Sequence, residues 1–371
     1  MAGLAASAPA LATACLAPGA WAVPAGAGTT PASAGQVLSA ARDAQAVLLG
    51  EAHDNADHHR WQVHALGMLL AQRGRLVLGL EMFPRRVQPV LDRWVAGELT
   101  EEALLKDSQW NKVWGFDPQL YLPLFHFARL HRVPMVALNV ERSLIREVGK
   151  GGWASIPPSS REGLTDPAPA AAAYREQLRE AHALHAAHGA DAGMFERFVE
   201  GQLVWDRAFA EGLNAAARRH PGALVVGIIG TGHLRDGHGV PHQLRALGMQ
   251  RIATWLPVPA ETPCSQLSAG LADAVFAVED APRPPPVRLG VMLEEEESSG
   301  ARVQKVMPGS VAETAGVKEG DRVVAAAGEK IGSASDLVAA VRRQSPGTTL
   351  ALRVLRAGQE IDLIARFPAQ P

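Results

Sequence analysis

Residues 46–53 read Ala46-Val47-Leu48-Leu49-Gly50-Glu51-Ala52-His53. A short apolar run ends on a glycine and hands over to two side chains capable of chemistry. The layout recurs three times: Leu76 to Leu80 runs into Glu81-Met82-Phe83, Val133 to Asn139 into Val140-Glu141-Arg142, and Leu224 to Gly230 into Thr231-Gly232-His233. Apolar runs of this length, bounded by Gly, Pro or polar residues, predict buried strands, and each is followed by a helical pattern. Strands alternating with helices imply an α/β fold, a mainly parallel sheet with flanking helices. In such sheets ligand groups collect at the carboxyl ends of the strands. Glu51, His53, Glu81 and His233 are therefore expected at one sheet edge. Asp54, His58 and His59 follow within the loop and helix start after the first run.

Outward from this core, the chain divides. A helical insertion is predicted from about Ala170 to Arg219, with His182, His185 and His188 near its middle. His182 and His185 are three residues apart and share a helix face, and Tyr174 falls on nearly the same face. Pro282-Arg283-Pro284-Pro285-Pro286 reads as a stiff, extended linker. The expected organisation is a signal-like or disordered segment over 1–35, an α/β domain over 36–281, the linker over 282–286 and a small β-rich domain over 287–371. At 371 residues, two domains are the ordinary expectation.

Composition narrows the function classes. The net charge of −2 gives no dominant basic face, which argues against nucleic acid as a partner. Two cysteines, Cys15 and Cys264, are too few for a disulfide framework or a cysteine-built zinc site. The first 41 residues carry no Lys, Arg, Asp or Glu, and the apolar run Leu4 to Leu16 has the length of an export-signal core. Ala12-Thr13-Ala14-Cys15 is a weak version of a lipid-attachment box. The expectation is an exported chain, periplasmic or associated with the outer membrane, with lipidation of Cys15 as one route.

The last 85 residues resemble a PDZ domain, most closely those of the HtrA proteases. The resemblance rests on Arg288-Leu289-Gly290-Val291, on Pro308-Gly309-Ser310-Val311-Ala312-Glu313-Thr314-Ala315-Gly316, and on Gly320-Asp321-Arg322-Val323-Val324. It implies a groove in which a peptide adds as a strand to a sheet edge. The peptide's terminal carboxylate would lie on the N–H groups of the Gly290 loop, with Arg288 adding charge. Leu289, Val291 and Leu337 would line the pocket for its last side chain.

The first module resembles the ChaN-like haem-binding uptake family of the wider Tiki/TraB superfamily. The matching segments are Gly50 to Gln62, Gly79 to Phe83, Tyr121 to Phe125, Leu138 to Arg142 and Gly230 to Pro241. The resemblance implies haem, an iron tetrapyrrole, as cofactor and a role in iron uptake at the envelope. The axial donor is open among Tyr121, Tyr174, His182, His185 and the strand-end set, with the tyrosines favoured for ferric iron. Two rivals accompany this reading. In one, His53, Glu81 and His233 hold a divalent metal and Glu51 acts as general base of a Tiki-type hydrolase. In the other, the first module is a non-catalytic adaptor. A homodimer is left open.

Overall fold

The computed structural model describes residues 15–185, 192–279, 287–294 and 300–369. Contacts divide the chain into two units, residues 1–100 with 122–280, and residues 101–121 with 281–371. The division departs from the expected boundary through 101–121, which cluster with the C-terminal residues. The linker Pro282 to Pro286 and His188 lie outside the described residues.

The first unit is built on an eight-stranded sheet. Its strands are β1 (Trp21–Ala25), β2 (Gly28–Ala32), β3 (Ala46–Glu51), β4 (Leu76–Pro84), β5 (Met135–Asn139), β6 (Leu224–Gly230), β7 (Ile252–Pro259) and β8 (Ala274–Val278). Their order is β2-β1-β8-β7-β3-β6-β4-β5. The four strands read from sequence are adjacent at one side, and β6 lies between β3 and β4 in parallel register, with Glu51 opposite Gly230. That order brings the ends carrying Glu51, Glu81 and His233 side by side. β3, β4 and β6 are buried along their whole length, which explains why each reads as a continuous apolar run. The other edge strand, β5, has its exposed backbone satisfied by one side chain. The Gln88 amide donates to Met135 O and accepts from Ala137 N, standing in for a neighbouring strand.

The N-terminal expectation needs correction. From Cys15 onward the segment belongs to the fold. β1 pairs antiparallel with β8, Trp21 opposite Phe276. The Trp21 ring packs 5.0 Å from Phe276 and 5.4 Å from Trp255. Cys15 is joined to Cys264 by a disulfide. The pairing was missed because their separation of 249 residues gives no local pattern. In this state the Cys15 sulfur is not available for a lipid.

Helix Ala192–Arg219 packs along β4, β5 and β6. Helix Ala172–His185 lies against it, with Tyr174, Leu178, Phe195 and Val199 forming a small core of their own. This is the expected helical insertion.

In the second unit an antiparallel sheet runs β14 (Gln359–Arg366), β13 (Thr349–Arg356), β11 (Arg322–Ala326), β10 (Ala301–Val306), β9 (Val291–Leu293), with β12 (Glu329–Lys330) beside β11. Asp321, read as part of a turn motif, is 1% exposed and takes both Arg356 nitrogens at 2.7 Å and the Lys318 N–H at 2.8 Å. Burial alone would raise its carboxyl, but the guanidinium and N–H outweigh it and hold it below the usual range. Residues 101–121 join this unit through the Asn111 amide, which donates to Asp336 at 3.1 Å, and Gly115 O, which accepts from Arg342.

Candidate functional site

Glu51, the last residue of β3, is 3% exposed. One oxygen meets His53 Nδ1 at 2.8 Å, and the other accepts from Gln62 Nε2 at 3.0 Å, with His59 Nδ1 at 3.4 Å. Burial pushes this carboxyl up, but the His53 hydrogen bond and the neighbouring imidazole outweigh it, so the group stays ionised below its ordinary value. His53 responds in kind. Burial lowers it, yet the bond to Glu51 and the charge of Glu81 raise it overall. Its side chain keeps 31% exposure.

Glu81 closes the arrangement from β4. One oxygen lies 3.9 Å from His53 Nε2, and the other accepts the Gly230 N–H at 2.6 Å. A Cβ at Gly230 would stand 2.9 Å from the His53 ring, so a larger residue there would displace that imidazole. His233, past the end of β6, meets Asp206 through Nδ1 at 2.7 Å. Asp206 is fully buried and its other oxygen accepts from Tyr174 OH at 2.8 Å. Burial works against a charged His233, but Asp206 overrides it and raises the imidazole to about 9. The Phe209 and Trp205 rings flank it at 5.4 and 6.3 Å. Both Gly-x-x-His ends thus share one design: the Nδ1 of the imidazole is pinned by a buried carboxylate, which fixes the ring's orientation.

The other expected residues sort differently. His58 and His59 serve the fold: His58 Nδ1 accepts from Ala52 N, and His59 bonds Gln62 and His53 O. Asp54 sits on an exposed turn before the helix Ala56–Arg73. Tyr174 is 2% exposed, and burial together with Asp206 drives its phenol well above 10. Tyr121 is fully buried in the second unit, edge-on to Trp110 and Trp114. As placed, the Tyr174 phenol is engaged by Asp206 and Tyr121 packs among aromatic rings. His182 packs against Phe195 and Phe198, and the His185 side chain lies outside the described residues. Among the described residues, no three His, Cys, Asp or Glu side chains are arranged to hold a metal ion. Of the grouping His53, Glu81 and His233, each histidine is held through Nδ1 by a carboxylate, and one Glu81 oxygen accepts the Gly230 N–H.

Asp206 and Gln62 went unassigned from sequence. Asp206 carries no motif, and its only signal is an acid inside the apolar turn Leu203-Val204-Trp205-Asp206-Arg207-Ala208-Phe209. Gln62 is fully buried and ties Glu51 to Gly50 O.

In the second unit, β9 pairs on one side with β10 and forms the end of the sheet. Gly290 has φ +82, and a Cβ there would meet Ser310 at 2.3 Å, so the loop before β9 requires glycine. Leu289 and Leu337 belong to the core of the second unit, at 4% and 1% exposure, whereas Val338 is 40% and Met292 50% exposed. Arg288 is exposed and Val291 half-buried.

The chain is thus an α/β domain with a buried carboxylate–imidazole cluster at its carboxyl edge, followed by an antiparallel domain with an open edge strand. The family described as "Haem-binding uptake, Tiki superfamily, ChaN" matches residues 37–244, and a PDZ domain matches residues 287–365. The first match covers more than half the chain, and the protein belongs to that family. The solved structure of ChaN of Campylobacter jejuni, titled for its cofacial haem binding, covers 69% of this chain and 96% of its own at a TM-score of 0.53 and 19% identity, a likeness of fold. A probable periplasmic serine endoprotease, DegP-like, of Hahella chejuensis is 37% identical over 95 residues, which are 22% of this chain and 20% of the relative. Serine protease HTRA1 of Xenopus tropicalis is 38% identical over 68 residues, 18% and 14% of the two chains. The match therefore spans at most a fifth of either relative.

Proposed function

We propose that this protein binds haem at the carboxyl edge of its parallel sheet, in the service of iron uptake at the cell envelope, and that its PDZ domain recruits a partner by that partner's C-terminus. The observation that carries the haem reading is His53, a partly exposed imidazole held by a buried carboxylate. A histidine so fixed is the ordinary protein donor to haem iron, which supplies the redox and ligand chemistry when bound. His53 would hold the iron in place of the tyrosines. Export is supported by the Cys15–Cys264 pair, since disulfides persist in oxidising compartments, and by the periplasmic description of the DegP-like relative.

Titrating purified protein with ferric haem is expected to give a shifted Soret band that His53→Ala abolishes and Tyr174→Phe retains. Glu51→Gln is expected to weaken binding about tenfold through the loosened ring. Loss of the band in Tyr174→Phe with His53→Ala unaffected would return the axial role to tyrosine. No haem binding, with stoichiometric zinc or manganese and a peptidase activity that His53→Ala removes, would establish the hydrolase instead.

For the PDZ domain, a peptide ending in an apolar residue with a free carboxylate is expected to bind the full chain at least ten times more tightly than its amide, about 1.4 kcal/mol. Equal binding of acid and amide would show that the Gly290 loop does not read a carboxylate.

A further inference from the structure

Residues 101–121 fall by sequence inside the stretch matched to the haem-binding family, 37–244, yet they pack with residues 281–371. Within them a single helical turn, Trp110–Val113, is bracketed by two residues in the left-handed region. Gln109 has φ +56 and Gly115 φ +79. A non-glycine residue in that region is unfavourable and persists only where its surroundings hold it. Here Gln109 O accepts from Lys112 N at 2.8 Å and Val113 N at 3.0 Å, and Trp110 Nε1 donates to Phe116 O at 2.7 Å. The loop is thus braced from within, and it presents the Asn111 amide and the Gly115 carbonyl.

Both groups meet helix Ala334–Arg342. The Asn111 amide donates to Asp336 Oδ1 at 3.1 Å, and Arg342 donates to Gly115 O. Asp336 divides its two oxygens. Its Oδ2 accepts the Gly332 N–H and the Ser333 hydroxyl at the helix start, while Oδ1 takes Asn111. Asp336, Ala339 and Arg342 stand three residues apart and form one ridge of the helix. Leu337, Ala340 and Val341 form a second face, turned into the core of the unit. Val338 lies on the remaining face and is 40% exposed.

We propose that Asn111 is a positioning residue for peptide binding: the loop 109–115 fixes helix Ala334–Arg342 as a wall of the groove. The proposal rests on the peptide-reading function given above, in which the added strand lies between β9 and this helix. The core holds the helix on one face and the loop on another, which leaves the Val338 face for the peptide. A wall fixed before binding need not be ordered on binding, and affinity gains by that difference. A piece of sequence belonging to the first domain's family match thereby serves the second domain's site.

The test is calorimetric titration of the full chain, well below its melting transition, with a peptide that ends in valine with a free carboxylate. Asn111→Ala is expected to weaken binding about threefold, in the range of one neutral hydrogen bond. Asn111→Asp sets a second carboxylate against Asp336 and is expected to weaken binding about tenfold. Pairing Asn111→Asp with Asp336→Asn restores the donor and acceptor with their roles exchanged, and is expected to bring affinity back to within about threefold of wild type. Circular dichroism checks that each variant is folded. Arg342→Gln, at the other end of the ridge, tests the same contact should the Asn111 variants fail to fold, and is also expected to weaken binding about threefold. Wild-type protein that does not bind the peptide would overturn the peptide-reading function and this proposal with it. Wild-type binding matched by the folded single variants, or a double variant no tighter than Asn111→Asp, would overturn this proposal alone.

Discussion

Cys15→Ser is expected to lower the stability of the N-terminal unit by roughly 3–5 kcal/mol, and reductant should do the same to the native chain. The disulfide closes a loop of 249 residues, and long loops confine the unfolded chain most. The two Cα atoms lie 4.9 Å apart, within the usual range for a bridged pair, so the bond forms without backbone displacement. It ties the segment before β1 to the short helical turn Cys264–Gln266. Denaturant melts with and without reductant, monitored by tryptophan fluorescence, measure the effect, since Trp21, Trp61 and Trp255 cluster beside β1. Identical midpoints in both conditions, or a free thiol count of two in the native protein, would refute the bond.

Asp206→Ala is expected to be comparably damaging, about 3–5 kcal/mol, because it strands the buried Tyr174 hydroxyl and the half-buried His233 at once. Tyr174 OH loses its acceptor and His233 loses the carboxylate that keeps it protonated. The pH dependence follows from the sign of the His233 shift. Its folded value, about 9, lies above an unfolded value of about 6.5. The resulting stabilisation is therefore complete below about 6.5 and is lost as pH rises through about 9. His53, also raised, contributes with the same sign. Wild-type stability should decline across this window by a few kcal/mol, and Asp206→Asn should flatten much of the decline. A wild-type curve that is level from pH 6 to 9 would show that His233 is neutral in the folded protein.

Four strands and the C-terminal domain were legible because each is local: a continuous apolar run, a glycine-bearing motif. β7 was not, since Pro257 and Pro259 speak against a strand inside a sheet. Their positions explain the tolerance. β7 pairs with β3 over residues 252–255 and with β8 over residues 255–259, so the prolines lie beyond the β3 ladder. β1 and β2 were hidden by an Ala- and Gly-rich composition that resembles a leader, and the strand that ties them to the sheet, β8, lies some 250 residues away. Glu51, His53, Glu81 and His233 were expected together because each follows an apolar run, and the structure places them at neighbouring strands of one sheet. Asp206 sits in a helix, and only packing reveals which acid faces His233. The tyrosines were judged by ligand chemistry, which sequence offers, and not by burial, which it does not.

The pairing of β1 with β8 also sets a timetable for assembly. The β1–β2 hairpin can join the rest of the sheet only when residues 274–278 have been synthesised, so the sheet stays open at that edge for most of the chain's synthesis. Contacts that distant in sequence make for slow folding, and a chain delivered N-terminus first would wait in an unfinished form. Under the export proposed above such a delay is useful, because a chain that has not yet closed can still be threaded through a membrane pore. Cys15 and Cys264 would then meet only on the far side, locking the edge after arrival.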